Sequence, residues 1–351
     1  MTSLSATWIH GALLAAVLTA YAGAAAAAVP KEQQAIVQTG TGAPDIMKLQ
    51  RVPVLDPGEN QVLIRVYAAA VNPTDWKTRA GVQGYTPVAT VNIPGGDVAG
   101  VIAKLGPGVT DFKVGEAVFG VIARSGAVLN GGYSQFAIVQ TVNVVPKPKS
   151  MTYAEASGLG VASITGVRAV TETHVAKGQR VLITGVAGGV GSAAAQAAKN
   201  RGAYVIGTAT AQHDAYLKSL GVDEVIDYSQ EKFEDKVKNV DVAIDTVGAD
   251  TAERAMTTLK KGGMYISVAA RNLEAKCAAA GITCVARGTS SEVQRGIYDE
   301  VSRLADSGKL KVKIDKRFPL AQAPEAHRFG EQGHTEGKIV LIVDAAKADK
   351  K

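Results

Sequence analysis

Only two cysteines occur in the chain, at positions 277 and 284. That excludes a disulfide scaffold and a four-cysteine zinc lobe. Charge of one sign is also missing as a block. The 38 Lys and Arg against 32 Asp and Glu leave a net +6 scattered along the sequence, with no basic run of the kind that marks a nucleic-acid patch, so no nucleic-acid partner is expected. Apolar residues are plentiful at 46%, against 20% charged. This is a globular balance and excludes a disordered chain. The 351 residues are enough for about two domains. The 38 glycines fall at particular places and are the first positive clue.

The segment Trp8 to Val29 is apolar and alanine-rich, and Pro30 and Lys31 follow it directly. Its apolar core, Ala12–Ala20, is followed by small residues in A-x-A spacing. Residues 1–28 therefore outline a secretory signal peptide, cut near Ala26 or Ala28. One feature departs from that outline: Met1–Ile9 carries no Lys or Arg. A membrane anchor is a rival reading, weakened by the low lipid affinity of alanine and by His10. A start codon placed too early is a third. If the signal is used, the chain is periplasmic or secreted and keeps no stable membrane span after processing; otherwise it is cytoplasmic.

Beyond Ala35 the pattern changes. Gln61–Tyr67 alternates apolar and polar residues, the period of a half-buried strand. Short strand-like runs follow at Val98–Ala103, Ala117–Val121 and Phe136–Val139, separated by glycine- and proline-rich turns. They predict a compact, partly open β-barrel over residues 32–150. From Arg180 the pattern becomes repeating strand–helix units. Strands are predicted at Val181–Thr184, Tyr204–Thr208, Glu224–Ile226, Val240–Asp245, Met264–Val268 and Ile282–Ala286. Helices are predicted between them, at Val190–Arg201, Asp214–Leu220 and Thr251–Leu259, with Gly202 and Gly221 at helix ends. Six strands with short crossovers imply a doubly wound parallel sheet, an α/β Rossmann arrangement over residues 151–305. The tail Lys338–Val343 is again a strand, and residues 306–345 are expected to return to the front domain.

The sharpest chemical signal is the turn Gly185-Val186-Ala187-Gly188-Gly189-Val190-Gly191. It follows the strand Val181–Thr184 and opens an alanine-rich helix. A pyrophosphate needs backbone N–H groups at close range and a positive helix N-terminus, and glycines allow both. The strand before, the helix after and a second strand ending about twenty residues on together point to a dinucleotide. That second strand ends Gly207-Thr208-Ala209-Thr210-Ala211, with no Asp or Glu before Asp214. An NAD site usually places an acid there, on the ribose hydroxyls. Thr208, Thr210 and His213 are instead suited to a phosphate, which favours NADP(H). The threonines also suit a plain helix cap.

Several segments carry a family resemblance: Val71-Asn72-Pro73-Thr74-Asp75-Trp76-Lys77, Pro94-Gly95-Gly96-Asp97-Val98-Ala99-Gly100, Gly115–Gly120, Gly131–Phe136, the glycine turn, Asp241–Gly248 and Gly337–Leu341. In this order they resemble the zinc-independent quinone oxidoreductase and alkenal/enone reductase branch of the medium-chain dehydrogenase/reductase superfamily, from about Gln34 to Val343. The resemblance implies a GroES-like barrel domain in front of an NADP-binding Rossmann domain. Thr165 would contact the nicotinamide end, Tyr228 would flank the 2′-phosphate, and Val247 and Val268 would close over the cofactor. His213 falls where relatives often carry a fixed cation, which is a stronger anchor than an imidazole. Relatives are often dimers, so a homodimer is one expectation.

Alcohol dehydrogenases of this superfamily hold a catalytic zinc with Cys, His and Cys. Here the first Cys position carries Asn72, the Gly-His-Glu position carries Gly95-Gly96-Asp97, and the second Cys position falls near Val161. No thiolate or imidazole remains for the metal. Hydride then goes best to a carbon already activated by conjugation, in a quinone or an α,β-unsaturated carbonyl. Asn72 and Lys77 are the candidate catalytic contacts, with Tyr85 and Tyr133 behind them. Asn72 also suits a turn before Pro73, and Lys77 a solvated loop charge. A non-catalytic NADPH-binding sensor or structural relative is the alternative. For Cys277 and Cys284 two outcomes are open: buried inert thiols, or a disulfide if the chain is exported.

Overall fold

The computed structural model describes residues 28–82, 91–122, 129–286 and 291–351. The front half runs β1 (Glu32–Gln38), β2 (Met47–Pro53), β3 (Gln61–Val71), α1 (Pro73–Arg79), β4 (Asp97–Leu105), β5 (Ala117–Val121), β6 (Phe136–Gln140) and β7 (Val144–Pro146). Two short helices follow, α2 (Tyr153–Ser157) and α3 (Ile164–Glu172). The α/β part then runs β8 (Arg180–Thr184), α4 (Gly189–Asn200), β9 (Tyr204–Ala209), α5 (Asp214–Ser219), β10 (Glu224–Asp227), α6 (Phe233–Lys236), β11 (Val240–Asp245), α7 (Ala249–Met256), β12 (Leu259–Ser267), α8 (Glu274–Ala279) and β13 (Thr283–Cys284). The chain closes with α9 (Ser291–Asp306), β14 (Ile314–Pro319), α10 (Ala323–Glu331) and β15 (Lys338–Ile342).

The six parallel strands stand in the order β10-β9-β8-β11-β12-β13. Numbered from β8 this is 3-2-1-4-5-6, the doubly wound order with its switch point between β8 and β11. The central strands β8, β9 and β11 are almost wholly buried, as expected where helices cover both faces. The second sheet runs β14-β15-β3-β4-β5-β7, with β6 also pairing on β3. β15 lies antiparallel to β3, so the tail does return to the front sheet.

Some expectations need correction. The helix predicted to run to Leu259 ends at Met256, and Leu259 opens β12. The strand predicted over Ile282–Ala286 shrinks to the two residues Thr283 and Cys284. Val268 falls one residue past β12. Strands β1, β2, β7 and β14 were not anticipated. In β1 the reason is visible: Gln33 is buried, and its Oε1 accepts the Phe136 N–H at 2.7 Å. A polar side chain on the inner face hides the strand period. β14 has no buried residue at all, so no apolar alternation marks it.

Cys277 and Cys284 form a disulfide with Cα atoms 5.7 Å apart, within the normal bridging range. It ties α8 to the edge strand β13. Of the two outcomes left open for these cysteines, the inert thiols are the one the structure does not have. Among the described residues no helix is long and apolar enough to cross a membrane. The proposed signal peptide lies outside the described residues, apart from Ala28 at its end.

Candidate active site

Two neighbouring constructions make up the site: a cleft at the glycine turn and a buried polar cluster where the two sheets meet. The turn leaves β8 with Gly185 at φ +63°, a conformation that favours glycine. A Cβ at Gly191 would lie 2.4 Å from the Gly185 carbonyl oxygen, so Gly191 is required by packing. Gly188, the N-cap of α4, differs. Its backbone is ordinary extended (φ −72°, ψ 170°), and the nearest atom to a Cβ there is 3.6 Å away. The packing of the protein itself therefore does not require a glycine at 188. The first turn of α4 brings N–H groups with no partner inside the helix, and the positive end of its dipole.

The cleft at this turn has a volume of about 490 Å³, within the usual range for cofactor sites. Gly185, Ala187 and Gly188 form one wall, and Thr208, Thr210 and His213 another. Tyr228 and Val247 also line it, as do Arg254 and His334, which the sequence reading did not single out. Tyr228 and Val247 remain 45% and 53% exposed, two large apolar surfaces suited to an aromatic ring. Thr210 Oγ1 is sealed from solvent and has no hydrogen-bond partner. A buried hydroxyl of this kind is rare without a ligand to meet. The cleft therefore fits a dinucleotide.

Other expected residues take different places. Thr208 is buried, and its Oγ1 accepts the Gly185 N–H at 3.2 Å, so it locks the turn. His213 is buried with Nδ1 2.6 Å from Glu336 Oε2 and Nε2 3.2 Å from Gln212 Nε2. A carboxylate only accepts, so Nδ1 carries the proton. Burial holds this imidazole below its ordinary pKa, and Lys313 acts in the same direction against Asp315. His213 thus reaches the cleft with its Nδ1–H committed to Glu336 rather than as a free cation. Gly189, Val190 and Gly191 begin α4, Thr165 lies in the first turn of α3, and Val268 follows β12; none of these five lines the cleft. Tyr85 lies outside the described residues.

The second construction was not foreseen as a unit. Asn72 caps α1, its N–H donating to Asp75 Oδ2 at 2.8 Å. The Asn72 amide is itself clamped. Nδ2 donates to Asp97 Oδ2 at 2.9 Å, and Oδ1 accepts from Lys338 Nζ at 2.5 Å. Lys338 also donates to the Val71 carbonyl at 3.1 Å and stands 3.9 Å from Asp97 Oδ2. The Val161 N–H donates to Asp97 Oδ1 at 2.8 Å. The positions compared with metal ligands, Asn72, Gly96 and Val161, therefore do converge. The cation between them is the Lys338 ammonium. Asp97 and Lys338 are 0% and 5% exposed. Burial raises the Asp97 carboxyl to about 6, with Lys338, Asn72 and the Val161 N–H opposing; burial also lowers Lys338. Asn72, 2% exposed, spends its carbonyl and one amide hydrogen inside this cluster. Its first role is to hold the loop rather than to face the cleft. Lys77 lies half-buried on α1. Lys338 and Asp97 appeared in the sequence only as parts of motifs, and nothing local marked them as partners.

Behind α1 a further chain of contacts fixes its position. Tyr133 is fully buried, and its hydroxyl lies 3.2 Å from Asp75 Oδ2 and 3.1 Å from His327 Nε2. The hydroxyl proton goes to the carboxylate, so His327 Nε2–H donates to Tyr133 and Nδ1 is left as a bare lone pair without a partner. Burial, aided by Arg79, pushes His327 down to about 3. Between pH ~6.5 and ~3 the unfolded chain takes a proton here that the folded chain refuses, so stability falls with falling pH by about 1.4 kcal/mol per unit. Asp97, with its raised value, acts in the opposite sense between ~6 and ~3.8. The His327 effect is therefore isolated as a difference. Urea titrations at pH 6.5 and 4.5 should show the wild type losing about 2–3 kcal/mol relative to His327→Gln. Equal losses in the two proteins would refute the assignment.

A dinucleotide cleft on a doubly wound sheet, joined to an antiparallel front domain that supplies a buried Lys–Asp–Asn cluster, defines a two-domain nicotinamide-dependent oxidoreductase. Comparison with known proteins agrees. Residues 58–149 match the alcohol dehydrogenase GroES-like domain, and residues 220–341 match the zinc-binding dehydrogenase domain. The chain is 32% identical to an NADPH-dependent alkenal/one oxidoreductase of Arabidopsis thaliana, over 90% of this chain and 81% of that protein. It is 34% identical to a 2-methylene-furan-3-one reductase of Solanum lycopersicum, over 89% and 80%. A quinone oxidoreductase from Coxiella burnetii superposes with a TM-score of 0.79 at 30% identity, covering 89% of this chain and 100% of that one. The chain belongs to the medium-chain dehydrogenase/reductase superfamily, among its quinone and alkenal/enone oxidoreductase relatives.

Proposed function

We propose that this protein is a zinc-independent, NADPH-dependent reductase of quinones or α,β-unsaturated carbonyls. The observation that carries the reading is the cluster at Asn72, Asp97, Val161 and Lys338. Where a metal-dependent relative would need a thiolate and an imidazole, this chain has an amide, a carboxylate and an ammonium already bound to one another. Among the described residues no group of three His, Cys, Asp or Glu is placed to hold a metal. A substrate that needs no Lewis acid suits such a site, and conjugated carbonyls are of that kind.

The cofactor, when bound, supplies a hydride. Gly188 and the first turn of α4 bind its pyrophosphate, and Thr210 lines the cleft at the adenosine end, where a turn of its side chain would bring the unpartnered hydroxyl to the phosphate. The β9 loop itself carries no acid before Asp214 to repel that phosphate, which supports NADPH over NADH, although Asp227 accepts the Ala211 N–H and Glu336 pairs with His213 nearby. Lys338 packs its stem against Gly189, where a Cβ would come within 2.8 Å of Lys338 Cδ. Lys338 thereby ties the glycine turn to the front domain and adds positive charge close to the phosphates. Lys77, on α1, remains the side chain proposed to contact the substrate oxygen.

The test is NADPH oxidation followed at 340 nm across a panel of small quinones and enones, before and after exhaustive chelation. Turnover unaffected by chelation is expected. Activity restored only by zinc would overturn the metal-free reading. Tight NADPH binding without turnover would favour a sensor.

The N-terminal segment is proposed to export the chain, and the Cys277–Cys284 bridge supports this because such bonds persist in oxidising compartments. Mass spectrometry of the mature protein should find a new N-terminus near Ala26 or Ala28 and no free thiol in the denatured chain. An uncleaved leader and two free thiols would contradict export.

A further inference from the structure

Glu336 lies one side chain behind the wall of the cofactor cleft. It does not line the cleft, but Gly333, His334 and Thr335 just before it do, and its Oε2 stands 2.6 Å from Nδ1 of the cleft residue His213. Its other oxygen, Oε1, is paired with Lys313 Nζ. The backbone on either side is pinned. The Glu336 N–H donates to Asp315 Oδ2 at 3.1 Å, and the Gly337 N–H donates to the Ala187 carbonyl at 3.0 Å. Gly337 has φ +97°, and a Cβ there would lie 2.3 Å from the Lys313 carbonyl oxygen, so this turn keeps one course. The Glu336 side chain is 16% exposed, and a charge so little exposed is poorly screened by solvent and salt.

The cleft offers little free charge of its own. Among the described residues no Asp or Glu lines it, and Arg254 is the single Lys or Arg that does. The Arg254 guanidinium is held by Glu234 through two contacts of 2.7 and 2.8 Å. His213 has its Nδ1–H on Glu336 and the Gln212 amide 3.2 Å from Nε2. We propose that Glu336 is the residue that sets the discrimination between NADPH and NADH: its carboxylate, opposed by Lys313, lowers the positive potential that an additional phosphate beside His213 would meet. The proposal rests on the dinucleotide reading of the cleft and names a determinant of its cofactor choice. That phosphate carries nearly two negative charges, which NADH lacks. A charge at this place therefore acts on one cofactor and leaves the other almost untouched. Glu336→Gln retains an oxygen to accept the His213 N–H and removes only the charge, whereas Lys313→Met removes the charge that opposes it.

Fluorescence titrations of the full chain with NADPH and NADH at about pH 8, where a free imidazole is neutral, test the proposal. Glu336→Gln is expected to raise the ratio of NADPH to NADH affinity by about three- to tenfold, and Lys313→Met to lower it by a similar factor. The double variant should return close to the wild-type ratio, because it removes one charge of each sign. Thermal melts establish that the variants are folded. A purely structural role would weaken both cofactors together and leave the ratio where it was. An unchanged or lower ratio in folded Glu336→Gln, or shifts of the same sign in both single variants, would overturn the proposal and leave the dinucleotide reading standing. A wild type that binds neither cofactor would overturn that reading, and the proposal with it.

Discussion

Lys338→Met should lower the unfolding free energy by about 3–5 kcal/mol, the cost of leaving one member of a buried ion pair without the other. Asp97 would then sit fully buried without the ammonium 3.9 Å away. Asn72 Oδ1 and the Val71 carbonyl would lose their donor as well. The loss has a signature beyond its size. Removing Lys338 takes away the main influence holding the Asp97 carboxyl down, so Asp97 should titrate at higher pH in the variant, and the deficit should shrink as the pH is lowered. Asp97→Asn/Lys338→Met should be much less destabilised than the sum of the two single changes, because the double change leaves no uncompensated charge. Urea unfolding of the four proteins completes the cycle. Strict additivity would show that the two groups do not act as a pair.

Gly188→Val should abolish NADPH binding, weakening it by about a hundredfold or more, while the protein remains folded. The backbone at Gly188 is one that any residue adopts, and a Cβ there meets nothing closer than 3.6 Å. The branched side chain would fill the approach to the α4 N-terminus. Gly191→Val is the informative contrast. Its Cβ would strike the Gly185 carbonyl at 2.4 Å and the Val186 Cα at 2.7 Å, so that variant should lose stability first. Titration of both by NADPH fluorescence, with thermal melts alongside, separates the two roles. A Gly188→Val protein with normal affinity would show the turn to be a packing device only.

The two glycines also show how far the sequence could be read. Strand, turn and helix around residues 181–201 were legible because the apolar run, the glycines and the alanines are contiguous. The doubly wound parallel sheet followed from the repeated strand–helix alternation, while its strand order is seen only in the fold. Which glycine serves the fold and which serves a ligand was not legible, since it depends on the carbonyl that each would meet. The Lys338–Asn72 contact joins residues 266 apart in sequence, and neither carries a local sign of the other. His213 was read as a phosphate contact from its place after β9. Its Nδ1 is instead spent on Glu336, 123 residues on, and only the folded chain brings that acid near. The absence of acid in the β9 loop was read correctly, but the acid beside His213 arrives from elsewhere.

The cleft between Gly188 and Thr210 is proposed to take the phosphorylated dinucleotide. Paired titrations of the wild-type chain with NADPH and NADH, at one pH and ionic strength, test it most directly. NADPH is expected to bind several-fold tighter, with the preference reduced when Thr210, whose hydroxyl has no other partner, is replaced by Val. Equal affinities, or tighter binding of NADH, would contradict it.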